Sequence, residues 1–324
     1  MTEPFVRPDT RAFLDFLNNV PGPKMHELDA ASARGLYGAM RDVADPPVGE
    51  LGTMLDLAIP GPAGDIPARL FDPRPSREPG PAVVFYHGGG FVIGDLDSHA
   101  SYTAEMARTL DLPVIAIDYR LAPEVPFPAA PDDCEAATRW IAASPSEIGR
   151  AVTSLILCGD SAGGNLAIVT AAALRDTPAE VPVIAHLAFY PATDSSKDYP
   201  SYSEFADGYL LTKASMDWFM QAYQGEVTHI RASPLLGNLA GMPPAVVVTA
   251  SLDPIRDQGR AYAAALAQAG VPVVFREAKG NIHGFITIRK AIPSSVGDVA
   301  GALAALRDLI VEAEGERVMA QAAE

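Results

Sequence analysis

The pattern of apolar and polar positions changes character partway along the chain. From residue 81 onward, short runs dominated by apolar residues alternate with longer segments of helical period. The runs are AVVFY (82–86), VIAID (114–118), SLILC (154–158), VIAHLAFY (183–190), AVVVTA (245–250) and VVFREA (273–278). A strand that is apolar at successive positions is buried on both faces, as in a parallel sheet covered by helices on either side. Between the runs, helices are predicted from Ser98 and over 128–143, 164–176, 258–268 and 296–314. The second of these carries proline and aspartate at its start, as helix N-termini do. Ahead of the series, TMLDLAI (53–59) and DIPARLF (65–71) flank the turn PGPAG and predict an antiparallel pair. The fold class that follows is α/β, with a mostly parallel central sheet and helices on both faces.

Two stretches depart from this rhythm. Residues 1–50 hold two amphipathic helical segments, Thr10 to Asn19 and Leu28 to Met40, separated and followed by the proline-rich breaks VPGP (20–23) and DPP (45–47). Residues 191–244 hold one helical piece, 210–223, between polar loops. Each is too short to bury a core of its own. The pattern therefore predicts an N-terminal cap segment over 1–50 and an insertion contributing to the cap over 191–244. The core is formed by 51–190 and 245–324.

Composition narrows the function classes. The 324 residues are 48% hydrophobic and 20% charged, enough for a sizeable core. Lys and Arg number 24 against 40 Asp and Glu, a net charge of −16. That leaves no basic footprint for nucleic acid or an anionic membrane surface. The start, MTEPFVRPDT, lacks the basic and apolar regions of a secretory signal, and no run is long and apolar enough to span a membrane. Cys134 and Cys158 have neither metal-ligand spacing nor the look of a disulfide framework. Two buried, reduced thiols and a cytoplasmic location are expected.

Candidate chemistry begins at LCGDSAGGN (157–165), where an apolar strand runs into Gly-Asp-Ser-Ala-Gly. This fits G-x-S-x-G, in which a serine sits on a sharp strand-to-helix turn. Neither G-x-G-x-x-G nor G-x-x-x-x-G-K-[ST] occurs at a strand-to-helix turn, which removes the dinucleotide and P-loop readings. A serine nucleophile needs a base. Among the six histidines, His26 and His99 read as packing residues, His186 lies inside an apolar strand, and His229 has no evident partner. His283, in KGNIHGF (279–285), follows the last strand and falls at the same sheet edge as Ser161. Asp253, in SLDPIRD (251–257), follows AVVVTA and is the candidate orienting acid, while Asp257 reads as a helix cap or loop brace. Asp160 reads as ordering the serine turn. The order Ser161, Asp253, His283 is that of an α/β-hydrolase triad. HGGG (87–90) supplies glycine N–H groups for an oxyanion, and Gly88, Gly89 and Ala162 are the expected donors. His87 is expected to hold the loop.

Together, HGGGF (87–91), YRLAPEVPFPAAPDD (119–133), GDSAGGN (159–165), SLDPIRDQG (251–259) and HGF (283–285) resemble, in order, the hormone-sensitive lipase-like family of microbial esterases within the α/β-hydrolases. The resemblance runs from about residue 50 to the C-terminus. It implies Ser161 as nucleophile, Asp253 as acid, His283 as base, and the same three oxyanion donors. It further implies hydrolysis of short- to medium-chain acyl esters by an acyl-enzyme route, with water as co-substrate, no cofactor or metal, and a homodimer as a common assembly. Arg120 and Glu124 look structural by the same comparison. Phe205 and Tyr209 resemble substrate-pocket or cap residues, packing being the alternative. Gln258 stands where the family often has glutamate. Amide, lactone and carbamate hydrolysis, acyl transfer, and non-catalytic binding on the same fold are the rival functions.

Overall fold

The computed structural model describes residues 3–322. Eight strands form one sheet in the order β1-β2-β4-β3-β5-β6-β7-β8. They are β1 (Thr53–Gly61), β2 (Gly64–Asp72), β3 (Gly80–Tyr86), β4 (Val114–Ile117), β5 (Val152–Asp160), β6 (Val183–Phe189), β7 (Ala245–Leu252) and β8 (Val273–Ile282). The expected hairpin of β1 and β2 is antiparallel, β2 joins β4 antiparallel, and every pair from β4 through β3 to β8 is parallel.

The two faces of the sheet can be read along β3. Successive side chains of a strand point to opposite faces. Val84 and Tyr86 belong to one hydrophobic cluster, while Val83 and Phe85 belong to another. The first cluster is covered by α4 (Ala129–Ala142), α5 (Ala162–Asp176) and α8 (Arg256–Gln268). The second is covered by α3 (Ala100–Leu110) and α9 (Ser295–Ala322). α9 presents Val299, Ala302, Leu303, Leu306 and Ile310, one helical stripe, to that face. It extends past the predicted end at residue 314. α5 is buried along most of its length, from Ala162 to Ala171, because it lies against the middle of the sheet.

The remaining helices sit above the carboxyl ends of the strands. They are α1 (Pro8–Asn19) and α2 (Ala30–Ala44), with α6 (Pro200–Glu204) and α7 (Lys213–Tyr223) from the insertion. α6 and α7 belong to an inserted helical cap region. Phe13 and Leu14 of α1 and Ala44 of α2 share a third cluster with Phe205, Leu252, Ile282, Ile288 and Ile292. Two polar ties fix α2. Arg34 donates to the carbonyls of Val92 and Ala122 and pairs with Glu124. At its other end, the buried Asp45 carboxylate accepts from Arg289, which also donates to Ser101. Among the described residues no helix is long and apolar enough to cross a membrane.

Candidate active site

Three strand ends converge on one point. Leu252 of β7 pairs with Ile282 of β8, so the next residue on each strand, Asp253 and His283, emerges beside the other. β5 ends at Asp160, and the chain turns sharply at Ser161 into α5. Ser161 has φ 54° and ψ −115°, a conformation that a non-glycine residue adopts only under constraint. The constraint is close packing. A Cβ at Gly163 would lie 2.6 Å from the His87 carbonyl oxygen and closer still to that of Tyr86. A Cβ at Gly159 would lie 2.8 Å from the Tyr86 oxygen and closer to that of Gly163. The small residues on either side of the serine thus let α5 start directly against β3.

The hydrogen bonds at this point form a chain. His283 Nδ1 lies 2.7 Å from Asp253 Oδ2, and His283 Nε2 lies 2.9 Å from Ser161 Oγ. A carboxylate oxygen accepts, so Nδ1 carries the proton and Nε2 is left to accept from the serine hydroxyl. Asp253 is fully buried, and its other oxygen accepts from the Ile255 N–H at 2.9 Å, which fixes its orientation. Such an arrangement can raise the nucleophilicity of a hydroxyl. Asp257 is absent from this chain. It accepts from the Ser201 N–H and from Arg256 and Arg260, bracing the start of α8.

The glycine loop requires one correction. The Gly88 N–H donates to Asp160 Oδ1 at 2.7 Å, so it is committed to a carboxylate and does not face the serine as an oxyanion donor would. Among the described residues no backbone partner takes the N–H of Gly89 or Gly90, and Ala162, as the first residue of α5, has no carbonyl one turn before it. The free donors next to Ser161 are therefore those of Gly89, Gly90 and Ala162. Gly89 and Gly90 have φ of 123° and 60°, which glycine alone adopts without cost. Gly90 was not singled out in the sequence. The GGG string made it a candidate, but only the fold says which amide points where.

Asp160 anchors this loop from below. It is 3% exposed and stands 3.3 Å from His99 Nε2 and 3.3 Å from the Tyr190 hydroxyl. Burial alone would raise its pKa. His99 and the Gly88 N–H outweigh burial and hold the carboxyl below its ordinary value. His87 holds the loop by its own contacts, with Nδ1 2.8 Å from the Gly88 carbonyl oxygen and its ring stacked on Tyr119 at 4.4 Å. Arg120 pairs with Asp133 and Glu124 with Arg34, both away from the serine.

A cavity of about 1600 Å³ opens above Ser161, lined from both the N-terminal helices and the insertion. Phe205 and Tyr209 do not line it. Phe205 is 1% exposed and packs with Phe13, Leu252 and Ile282, while Tyr209 meets it edge-on at 5.2 Å. The wall is made instead by neighbours on either side, Tyr202, Leu210 and Leu211, together with Phe219 of α7. Gln258 accepts from the N–H groups of Thr193 and Asp194 and donates to Tyr202, fastening the root of the insertion to α8.

Comparison with known proteins identifies the family. Residues 83–287 match a family model described as the alpha/beta hydrolase fold. Esterase LipI of Mycobacterium tuberculosis is 39% identical over 275 residues, covering 83% of this chain and 86% of that protein. An ethyl acetate hydrolase of Pseudomonas putida is 36% identical over 276 residues, with 83% and 86% covered. Among solved structures, an ester hydrolase from the metagenome of Lake Arreo, in complex with a bipyridine phosphonate derivative, superposes with a TM-score of 0.88 at 38% identity. That match covers 94% of this chain and 98% of the other. A thermostable esterase from Pseudomonas putida superposes with a TM-score of 0.89 at 30% identity, covering 96% and 98%. The chain belongs to the α/β-hydrolase family, among its microbial esterases related to hormone-sensitive lipase, and is a carboxylic ester hydrolase that works through a serine acyl-enzyme.

Proposed function

We propose that Ser161 is the nucleophile, His283 the general base and acid, and Asp253 the residue that orients and stabilises the imidazolium. The substrates are short- to medium-chain acyl esters. The observation that carries this reading is the continuous chain Ser161–His283–Asp253, at 2.9 and 2.7 Å, on a serine held at positive φ. His283 takes the hydroxyl proton as Ser161 Oγ attacks the carbonyl carbon. The oxyanion is held by the N–H groups of Gly89, Gly90 and Ala162. His283 then protonates the leaving alcohol oxygen, leaving the acyl group on Ser161. Water deprotonated by His283 attacks the acyl-enzyme, and collapse returns the acid and the free serine. Removing one oxyanion donor would cost about 3 kcal/mol in the barrier.

The same proposal assigns residues 1–50 and 191–244 to the cap and the remainder to the core. It is supported by cavity-lining side chains from both stretches, such as Leu17 and Phe219. A homodimer is supported by the position of β8 at the end of the sheet among the described residues, where Phe275 is 43% exposed. A reducing, cytoplasmic setting suits Cys134 and Cys158, which are buried free thiols. The test of the chemistry is hydrolysis of p-nitrophenyl esters from acetate to palmitate by the wild type and Ser161→Ala. Turnover of short and medium esters that disappears in the variant is expected. Turnover that survives in Ser161→Ala at near wild-type rate would refute the assignment.

A further inference from the structure

The cavity above Ser161 is larger than a short ester needs. Its volume is about 1600 Å³, against roughly 300–1,000 Å³ for sites that enclose drug-sized ligands. Its walls belong to two separate hydrophobic clusters. On the oxyanion side, Phe91, Ile93 and Ala162 share a cluster against which Met25, Leu28 and Phe219 pack. The Phe219 ring rests directly on Gly90, since a Cβ there would lie 2.7 Å from Phe219 Cδ2 and closer to Cγ. An aromatic ring therefore stands directly against the loop on this side. On the His283 side, Phe13, Leu17, Met40, Leu210, Ile288 and Ala291 form the wall, all of them in the other cluster. That wall begins one residue past the histidine, because Leu210 Cδ2 would be 3.7 Å from a Cβ at Gly284. Phe16 and Val43, which are 66% and 69% exposed, continue it to the mouth.

We infer that the arm on the His283 side receives the alcohol half of the substrate, and that the preferred class is an ester of a short acid with a large apolar alcohol. The inference rests on the esterase reading above and adds the shape of the ester to it. The leaving oxygen must take its proton from His283 Nε2, so it lies against that ring in the transition state. The carbon chain attached to it enters the space that adjoins His283, which is walled by apolar side chains out to the exposed Phe16 and Val43. The acyl chain leaves the carbonyl carbon away from His283, towards the glycine loop, where the Phe219 ring stands against Gly90. Apolar side chains left exposed at the mouth of this arm gain cover only when an apolar group fills it.

Two ester series separate the arms. One holds the acid at acetate and lengthens the alcohol from ethyl through butyl and hexyl to octyl. The other holds the alcohol at ethyl and lengthens the acid from acetate to octanoate. The expected result is a rise in kcat/KM of up to about fourfold per added methylene in the alcohol series, and a flat or falling acyl series. Met40→Trp, which fills the arm, should lower the octyl-to-ethyl ratio of the alcohol series by at least about tenfold. Phe219→Ala should raise the long members of the acyl series and leave the slope of the alcohol series as it was. A rise confined to the acyl series, with Met40→Trp flattening that series, would overturn the inference while leaving the esterase reading intact. Absence of Ser161-dependent turnover for every ester would overturn both.

Discussion

Gly163→Ala tests whether the serine turn and the glycine loop are one packed unit. The added Cβ would lie 2.6 Å from the His87 carbonyl oxygen and nearer still to that of Tyr86. Both neighbours are backbone atoms at the end of β3, so no side chain can swing aside. Overpacking of this kind costs about 3 kcal/mol at the upper end of its usual range. Alanine in place of glycine in α5 returns about 1 kcal/mol of helix propensity. The net is a loss of about 2 kcal/mol. An unfolding entropy of about 2.1 cal/mol/K per residue over 324 residues gives about 0.7 kcal/mol/K. The melting temperature should therefore fall by about 3 °C. Activity should fall further than stability, because the displaced atoms lead directly into the loop carrying Gly89 and Gly90. A misplacement of about 1 Å in such a site costs on the order of 10²-fold. The assays are thermal unfolding followed by circular dichroism, and kcat/KM for a short p-nitrophenyl ester. A variant that melts with the wild type and turns over as fast would refute the argument that α5 begins in contact with β3.

Further outcomes follow from the same geometry. Asp253→Asn keeps an oxygen for the Ile255 N–H but not a carboxylate for His283 Nδ1, and kcat should fall on the order of 10⁴-fold with the melting temperature little changed. Asp160→Asn should loosen the loop held through Gly88 and cost about 1.5–3 kcal/mol of stability at neutral pH. Because the Asp160 pKa is lowered in the fold, that stabilisation is complete above the ordinary carboxylate range and disappears as pH falls through the folded value. The gap between wild type and variant in urea unfolding should accordingly close on acidification; a gap that is constant with pH would contradict the assignment. Burial pushes His186 down to about 4, so the unfolded chain binds a proton there before the fold does. Stability should fall as pH drops from about 6.5 towards 4, and His186→Gln, which can still reach the Tyr262 hydroxyl, should flatten that slope in the same unfolding assay.

What the sequence disclosed and what it hid follow from burial and contact distance. The central strands were legible because runs such as AVVFY and AVVVTA are buried on both faces, and few other structures tolerate that. That Ser161, Asp253 and His283 fall at one sheet edge was legible because each lies three to five residues past an apolar run, at 154–158, 245–250 and 273–278. The extension of β8 to Ile282 was not visible, since it passes through Gly280 at φ 75° with a change of register against β7. Yet that extension is what carries His283 to Asp253. Which glycine N–H faces the serine was likewise hidden. Asp160, 72 residues from Gly88, decides it, and nothing local to HGGG records that partner. Phe205 and Tyr209 resemble substrate-pocket or cap residues of the family, with packing as the alternative, and the sequence could not choose between the two. Loops lack the periodicity that separates an inward side chain from an outward one, and the structure turns Phe205 into the cluster under α1.

The central claim is that Ser161 is the atom donor that becomes acylated, and the most direct measurement is covalent capture. The enzyme is incubated with a p-nitrophenyl phosphonate, which phosphonylates an activated serine, and the adduct is located by intact mass and peptide mapping. The account predicts one adduct per chain, on Ser161, formed in step with loss of ester turnover, slowed in Asp253→Asn and absent in Ser161→Ala. An adduct on another residue, or full inactivation of Ser161→Ala turnover by the same reagent, would contradict it.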